Sequence, residues 1–310
     1  MRILLWHVHG SWTTAFVQGR HEYLVPVVPD RGPDGRGRAQ TWHWPDSVSE
    51  VSPAALAHEP VDVVILQRPD DEALATQWLD RRPGRDVPAI WLEHNAPQGR
   101  ITEMRHPAAD RADLTLVHVT HFNALFWDSG RTPTRVIEHG VVDPGARYTG
   151  ELQRAAVVVN EPGRRGRVTG TDLLRELGRD VPIDLFGMAA GPLGGIENLP
   201  QAELHTAMAQ RRLYLHPVRW TSLGLALIEA MHLAMPVVAL ATTEVPEAVP
   251  PEAGVVSTRL GVLREAMRGL VDDPERARVM GKAARAYAVE RYGLRRFLAD
   301  WDALLAEVVR

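Results

Sequence analysis

The feature that most limits the fold is an alternation of short apolar runs with helix-length segments, which restarts once near the middle of the chain. In the first half, "RILLWHV", "YLVPVV", "VDVVILQ", "PAIWLEH", "LTLVHV" and "TRVIEHG" are bounded by Pro, Gly or Asp. Unbroken apolar runs suit parallel strands covered on both faces, whereas a half-solvated strand would alternate. "PDDEALATQWLDRR" reads as a crossover helix, and the Gly-, Pro- and Arg-rich "DRGPDGRGRAQTWHWPDSVSE" as a loop. After "EHGVVDPGARYTGELQ" the pattern begins again. "AAVVVN", "VPIDLFGM", "LYLHPV" and "MPVVAL" read as strands, and "GTDLLRELGR", "QAELHTAMAQRR" and "SLGLALIEAMHLA" as helices. This is the signature of two Rossmann-like, doubly wound α/β domains. The expected division is residues 1–147, residues 148–293 and a closing helix at 294–310. In that helix Phe297, Leu298, Trp301, Leu304, Leu305 and Val308 form one apolar stripe that must pack on a partner.

A length of 310 residues accommodates two such domains. The chain has no cysteine, which excludes disulfides, thiolate metal sites and cysteine nucleophiles. A net charge of -4 argues against a broad basic surface, so nucleic acid is not an expected partner. No run approaches the roughly 18 apolar residues of a membrane span, and the opening "MRILLWHVHG" is too short and too histidine-rich for a signal sequence. A cytoplasmic protein is expected, with peripheral membrane contact left open. Lys282 is the single lysine, and this arginine bias points to a high-GC bacterial genome.

Ligands of open α/β sheets bind beyond the carboxyl ends of the strands, where helix amino ends offer unpaired N–H groups and partial positive charge. Trp220-Thr221-Ser222-Leu223-Gly224 lies at such a place. Thr221 or Ser222 is expected to cap the helix, and Gly224 to let a ligand approach the backbone. Glu229, seven residues after Ser222, would lie two turns along the same face. A carboxylate there suits the two donors of a ribose diol; the alternative is a solvent-facing helical Glu. Asn160 to Arg167, "NEPGRRGR", places three arginines among glycines after a strand, which suits a diphosphate or else a solvated basic loop. It lacks the spacing and lysine of a Walker loop. "FGMAAGPLGG", containing Gly187, does not fit the dinucleotide fingerprint. Asp300-Trp301-Asp302 reads as the polar face of the closing helix. The pairs His7/His9 and His118/His121 lack a third ligand, so no metal site is expected. His94 ends a strand, either facing a ligand or as an ordinary loop histidine.

Taken together, these motifs resemble the GT-B fold, family 4-like glycosyltransferases. "ADLTLVHVTHFNALFWDSGRTPTRVIEHGVVDP" is similar to the end of that family's first domain, with His139-Gly140-Val141-Val142 where Asn-Gly-Val-Asp is usual. "LYLHPVRWTSLGLALIEAMHLAMPVVALATTEVPEAV" resembles its donor-site signature, and the chain from Leu263 to Leu305 its closing helices. The resemblance implies two domains facing across a cleft, with the last helix crossing back to the first. It implies transfer of a sugar from a nucleotide diphosphate sugar to an acceptor hydroxyl, with retention and without a metal or other cofactor. On the same basis Glu229 holds the ribose. Arg164, Arg165 or Arg167 neutralises the diphosphate. Gly187, Thr221, Ser222, Leu223, Gly224 and Leu225 line the donor, and His94 and Glu247 approach the transferred sugar. One departure is central. Thr221 stands where the family has the first Glu of Glu-x7-Glu, and one lost charge-assisted bond costs about 1.5–3 kcal/mol. An unusual donor sugar, compensation by Glu244 or Glu247, and lost catalysis are the three readings. Thr242-Thr243 also replace the usual Gly-Gly. A uridine, guanosine or adenosine donor is equally compatible, and a binding-only relative or a nucleotide-sugar epimerase or hydrolase are the alternatives.

Overall fold

The computed structural model describes residues 1–310. The chain divides into two compact units, Met1–Val142 with Leu294–Arg310, and Asp143–Gly293. The boundary lies slightly before the expected 147/148. Asp143 is chelated by Arg285, and the N–H groups of Arg147 and Tyr148 both donate to Leu233 O, so this segment is tied to the second unit.

The first unit runs β1 (Arg2–Leu5), α1 (Gly10–Phe16), β2 (Glu22–Pro26), β3 (Val48–Val51), α2 (Pro53–Leu56), β4 (Val63–Leu66), α3 (Pro69–Leu79), β5 (Ala89–Glu93), β6 (Thr115–His118), α4 (His121–Phe126) and β7 (Thr134–Val136). Its sheet is parallel throughout, in the order β3-β2-β1-β4-β5-β6-β7. Every residue of the central strands β4 and β5 is buried, which is why these strands read as unbroken apolar runs. The segment expected to be all loop ends in β3, an edge strand whose "VSEV" buries only its two valines. Strand order reverses between β1 and β4, the topological switch point of this unit.

The second unit runs β8 (Leu152–Val158), α5 (Pro162–Thr169), α6 (Leu174–Leu177), β9 (Ile183–Phe186), α7 (Gln201–Gln210), β10 (Arg211–His216), α8 (Leu225–His232), β11 (Val237–Leu240), α9 (Val245–Ala248), β12 (Gly254–Ser257), α10 (Leu260–Asp272) and α11 (Pro274–Arg291). Its five parallel strands are ordered β12-β11-β10-β8-β9, so the switch falls between β8 and β10. α10 and α11 cover the sheet with Leu263, Met267, Leu270 and Ala277. Gly281 lets α11 pass the turn after α8, because a Cβ there would stand 2.0 Å from Ala234 O.

The closing helix α12 (Leu294–Val308) belongs to the first unit. It buries Phe297, Trp301, Leu304 and Leu305. The Trp301 ring lies 5.0 Å from Phe16 and 5.6 Å from Trp12, and Gly140 is required where a Cβ would strike Phe297. Asp300 pairs with Arg296, and Asp302 with Arg20 and His21, so the Asp-x-Asp of this helix is spent on ion pairs within the unit. No helix is long and apolar enough to cross a membrane.

Candidate functional site

The loops after β8 and β10, at the switch of the second unit, are locked to their neighbours. Glu161 has a left-handed backbone (φ 54°) and turns the chain into α5. Asn160 Oδ1 accepts from Met188 N at 2.9 Å, and Glu161 N donates to Met188 O at 2.7 Å. Gly187 (φ 139°) makes this lacing feasible, since a Cβ there would lie 2.1 Å from Val159 O. At the other end of α5, Gly170 lies against Pro217, where a Cβ would be 1.8 Å from the carbonyl oxygen. Arg219 grips Asp172 with two bonds of 2.6 and 2.9 Å and also donates to Arg167 O. Thr242 Oγ1 donates to Val218 O at 2.8 Å, so one of the two threonines replacing Gly-Gly ties the loop after β11 to the loop after β10.

α8 starts without a side-chain cap. Its N-cap is Gly224, not Thr221 or Ser222 as the sequence suggested; those residues lie outside the helix, in the loop. For the same reason Glu229 lies little more than one turn inside α8, and its seven-residue spacing from Ser222 does not describe a helical face. Gly224 is sterically required: a Cβ would be 2.7 Å from His216 Cε1. His216, at the end of β10, is 2% exposed, and its Nε2 has no hydrogen-bond partner. Tyr214 Oη lies 3.5 Å from its Nδ1. Burial pushes the His216 imidazole down to about 4, so the ring is neutral near pH 7. Burial, followed by the charge of Glu229, pushes the Tyr214 phenol up. Gly224, Leu225 and Ala226 are half-buried, and Leu223 and Ser222 are buried. The first-turn N–H groups of α8 therefore open a helix with no protein carboxylate capping it, a start that favours an anion.

The three arginines of α5 differ. Arg164 pairs with Glu161 on the surface, and Arg167 is exposed, 3.9 Å from Asp172. Arg165 is half-buried and enters no ion pair. α5 is itself a helix, kinked at Gly166 (φ 21°, ψ -93°), rather than a solvated loop.

Glu229 is 4% exposed, which removes the solvent-facing alternative. Its Oε2 accepts from Gln201 Nε2 at 2.9 Å and lies 3.3 Å from His205 Nε2, both from α7. Thr221 is half-buried and neutral. Glu244 is buried with Arg291 3.7 Å away. Glu247 is exposed, and its backbone carbonyl receives bonds from Tyr287 and Arg291. His216, Arg219 with Asp172, and the Gln201/His205 pair were not singled out from sequence, and Asn160 was read only as the start of the arginine motif. Only His216, immediately before Pro217 at a strand end, carried a local signal.

In the first unit, His94 follows β5 and is 6% exposed. Gln67 Nε2 donates to Trp6 O, so Gln67 Oε1 accepts, and His94 donates to it from Nε2 at 3.1 Å. The His94 ring lies 3.9 Å from His9 and 6.4 Å from His139. Burial, then mutual repulsion, drives His94 well below the ordinary histidine value, while burial lowers His9 to about 4 and His139 to about 3. Nearby, His106 Nδ1 accepts from Ala108 N, and its Nε2–H donates to Glu93 at 2.9 Å, a closed structural pair. No group of three or more His, Cys, Asp or Glu stands close enough to hold a metal ion.

Residues 195–287 match the family model of glycosyl transferases group 1, and the chain has the GT-B fold of two parallel-sheet domains. Among solved structures, it is similar to the sucrose-phosphate synthase from Thermosynechococcus elongatus (14% identity, TM-score 0.72, covering 99% of this chain and 98% of that one). It is equally similar to HepE from Anabaena, solved in complex with UDP and glucose (14% identity, TM-score 0.72, 99% of each chain). It also resembles TarM (14% identity, TM-score 0.60, 78% of this chain); the chain spans only 54% of the length of TarM. No curated protein sequence matches it.

Proposed function

We propose that this protein is a glycosyltransferase that moves a sugar, a hexose in the first instance, from a nucleotide diphosphate sugar to an acceptor hydroxyl. The observation that carries this reading is the uncapped start of α8 over neutral His216, with buried Glu229 about one turn further on. The diphosphate would lie at Leu225 N and Ala226 N with Arg165 beside it. Glu229, already oriented by Gln201, would accept from a ribose hydroxyl. Gly187, Thr221, Ser222, Leu223 and Gly224 would line the donor.

Cleaving the anomeric carbon–oxygen bond places growing negative charge on the diphosphate. Preorganised N–H dipoles and a guanidinium stabilise that charge without reorganising at the moment of reaction. Within the second unit the buried carboxylates are engaged, Glu229 by Gln201 and Glu244 near Arg291, so neither stands as a free nucleophile. This supports attack by the acceptor on the face the leaving group departs from, with retention, the acceptor proton passing to the departing phosphate. The positive charge is supplied by arginine and helix dipole, so the reaction is proposed to need no metal. His94 and Glu247 are proposed near the transferred sugar, with Arg164 and Arg167 as outer positive charges. A bacterial, cytoplasmic setting is part of the proposal.

Thermal denaturation against UDP, GDP, ADP and their sugars tests donor binding. UDP comes first because HepE was solved with UDP-glucose. Absence of a shift with every nucleotide would overturn the reading. The half-buried Thr221 in place of a carboxylate favours one second reading, a binding-only relative. Donor hydrolysis without acceptor supports the enzyme, and binding without any turnover supports the second reading.

A further inference from the structure

Two side chains of α7 that the proposed transfer does not use stand against Glu229. Gln201 opens α7 directly after its N-cap, Pro200, and His205 follows four residues later, so both project from one face of that helix. Gln201 is half-buried, and His205 and Glu229 are 7% and 4% exposed. The three side chains form a triangle. Gln201 Nε2 lies 2.9 Å from Glu229 Oε2 and 2.8 Å from His205 Nε2, and His205 Nε2 lies 3.3 Å from the same Glu229 oxygen.

The hydrogens of this triangle follow from what each group can donate and accept. A carboxylate only accepts, so the Gln201 atom facing it must be the amide nitrogen. The reversed amide would set a carbonyl oxygen 2.9 Å from a carboxylate oxygen. That nitrogen carries two hydrogens and accepts none, so His205 Nε2 must accept the second, and the imidazole proton sits on Nδ1. His205 thus holds the amide plane, with one hydrogen tied to the ring and the other aimed at Glu229.

The consequence falls on Glu229. Its Oε2 accepts from a fixed N–H and has the imidazole edge against it. A ligand hydroxyl that reaches this carboxylate must therefore go to Oε1. A vicinal diol held by both oxygens, one hydroxyl on each, does not fit this arrangement.

We propose that Gln201 and His205 restrict Glu229 to one of the two ribose hydroxyls, so that the sugar of the nucleotide is read at a single position. Both are positioning residues: they touch Glu229 and, through it, set what the ribose meets. The ligand so selected is a nucleoside diphosphate in which one ribose hydroxyl is required and its neighbour is dispensable. This inference rests on the ribose role of Glu229 proposed above.

Isothermal titration of the full chain with UDP, 2′-deoxy-UDP, 3′-deoxy-UDP and inorganic pyrophosphate reads it directly. One deoxynucleotide should bind at least about tenfold more weakly than UDP, the value of a hydrogen bond to a charged group, and the other within about threefold of UDP. Gln201→Met keeps a side chain of similar length without the N–H. It opens Oε2 to the second hydroxyl and should bring the two deoxynucleotides within about threefold of each other. His205→Leu should narrow the difference in the same direction. His205→Gln, whose side-chain carbonyl accepts in place of Nε2, should restore it. A merely structural pairing of α7 with α8 would change the melting temperature and leave the difference between the two deoxynucleotides alone. Equal losses on removing either hydroxyl from the parent's ligand overturn the proposal, as does a difference that survives both Gln201→Met and His205→Leu; either result leaves the ribose role of Glu229 standing. UDP that fails to bind, or binds no better than pyrophosphate, overturns both.

Discussion

Gly224→Ala tests how the start of α8 is built. Gly224 has φ -71° and ψ 120°, a conformation open to any residue, so alanine carries no backbone penalty there. The effect is steric. The new Cβ would be 2.7 Å from Cε1 of His216, a ring that is 2% exposed, so the two must be displaced from one another. Overpacking of this kind costs about 1–3 kcal/mol. At about 2–4 °C per kcal/mol for a unit of this size, the melting temperature should fall by roughly 2–12 °C. Relief requires the first turn of α8 to move outward, carrying the N–H groups of Leu225 and Ala226 with it. Because helix-end groups act only at hydrogen-bond range, UDP affinity should drop at least about tenfold. The assay is differential scanning calorimetry with UDP titration. Gly163→Ala serves as control, since a Cβ at Gly163 meets nothing within 4 Å. If Gly224→Ala melts and binds like the parent, the claim that Gly224 is required by the close approach of His216 is wrong.

Four further outcomes follow from the same geometry. Arg165→Ala should weaken UDP binding roughly 10- to 150-fold, the value of one charge-assisted bond, with little change in melting temperature because Arg165 enters no ion pair; isothermal titration reads both. Glu229→Gln should lower affinity for UDP more than for inorganic pyrophosphate, because the ribose contact is what changes; equal loss for the two ligands would refute the ribose role. Thr221→Glu should alter the ranking of donor sugars in a hydrolysis or transfer assay while leaving UDP affinity within a few-fold. Acid should destabilise the fold before most carboxylates titrate. His9, His118, His139 and His216 are held at about 4, 4, 3 and 4 against an ordinary value of 6.5. The unfolded chain takes up protons that the folded chain refuses, so the stability from these groups is complete above pH 6.5 and declines as pH falls toward 4. Each contributes a slope of up to about 1.4 kcal/mol per pH unit in that window. A melting temperature flat between pH 7 and 4.5 would contradict the buried, neutral assignment.

The most legible strands were those buried throughout, such as β4 and β5, where burial forces unbroken apolar runs; the edge strands β7 and β9 were read because an apolar run extends past them. The two missed, β3 and β12, are edge strands. Val48-Ser-Glu-Val and Gly254-Val-Val-Ser bury too little for a long apolar run, so their pairing partner rather than their composition makes them strands. α5 was hidden because Gly163 and Gly166 weaken helix propensity and the arginines leave no apolar stripe. At the site, Gly224 and Glu229 stood out because a glycine and an acid are anomalous beside an apolar helix. The partners that give them meaning lie far away in sequence. Gln201 is 28 residues from Glu229, and the ring that demands Gly224 belongs to the preceding strand. The cap expected at Thr221 or Ser222 failed because the chain bends at Ser222 and the helix begins only after Gly224, later than the hydroxyls suggest.

The central claim is a location: a nucleoside diphosphate held at the amino end of α8. Amide hydrogen exchange with and without saturating UDP measures that location directly. Slowed exchange should concentrate in peptides covering residues 160–168 and 216–229, with the amides of Leu225 and Ala226 most protected. Protection confined to other segments, or none at all with UDP bound, would contradict the account.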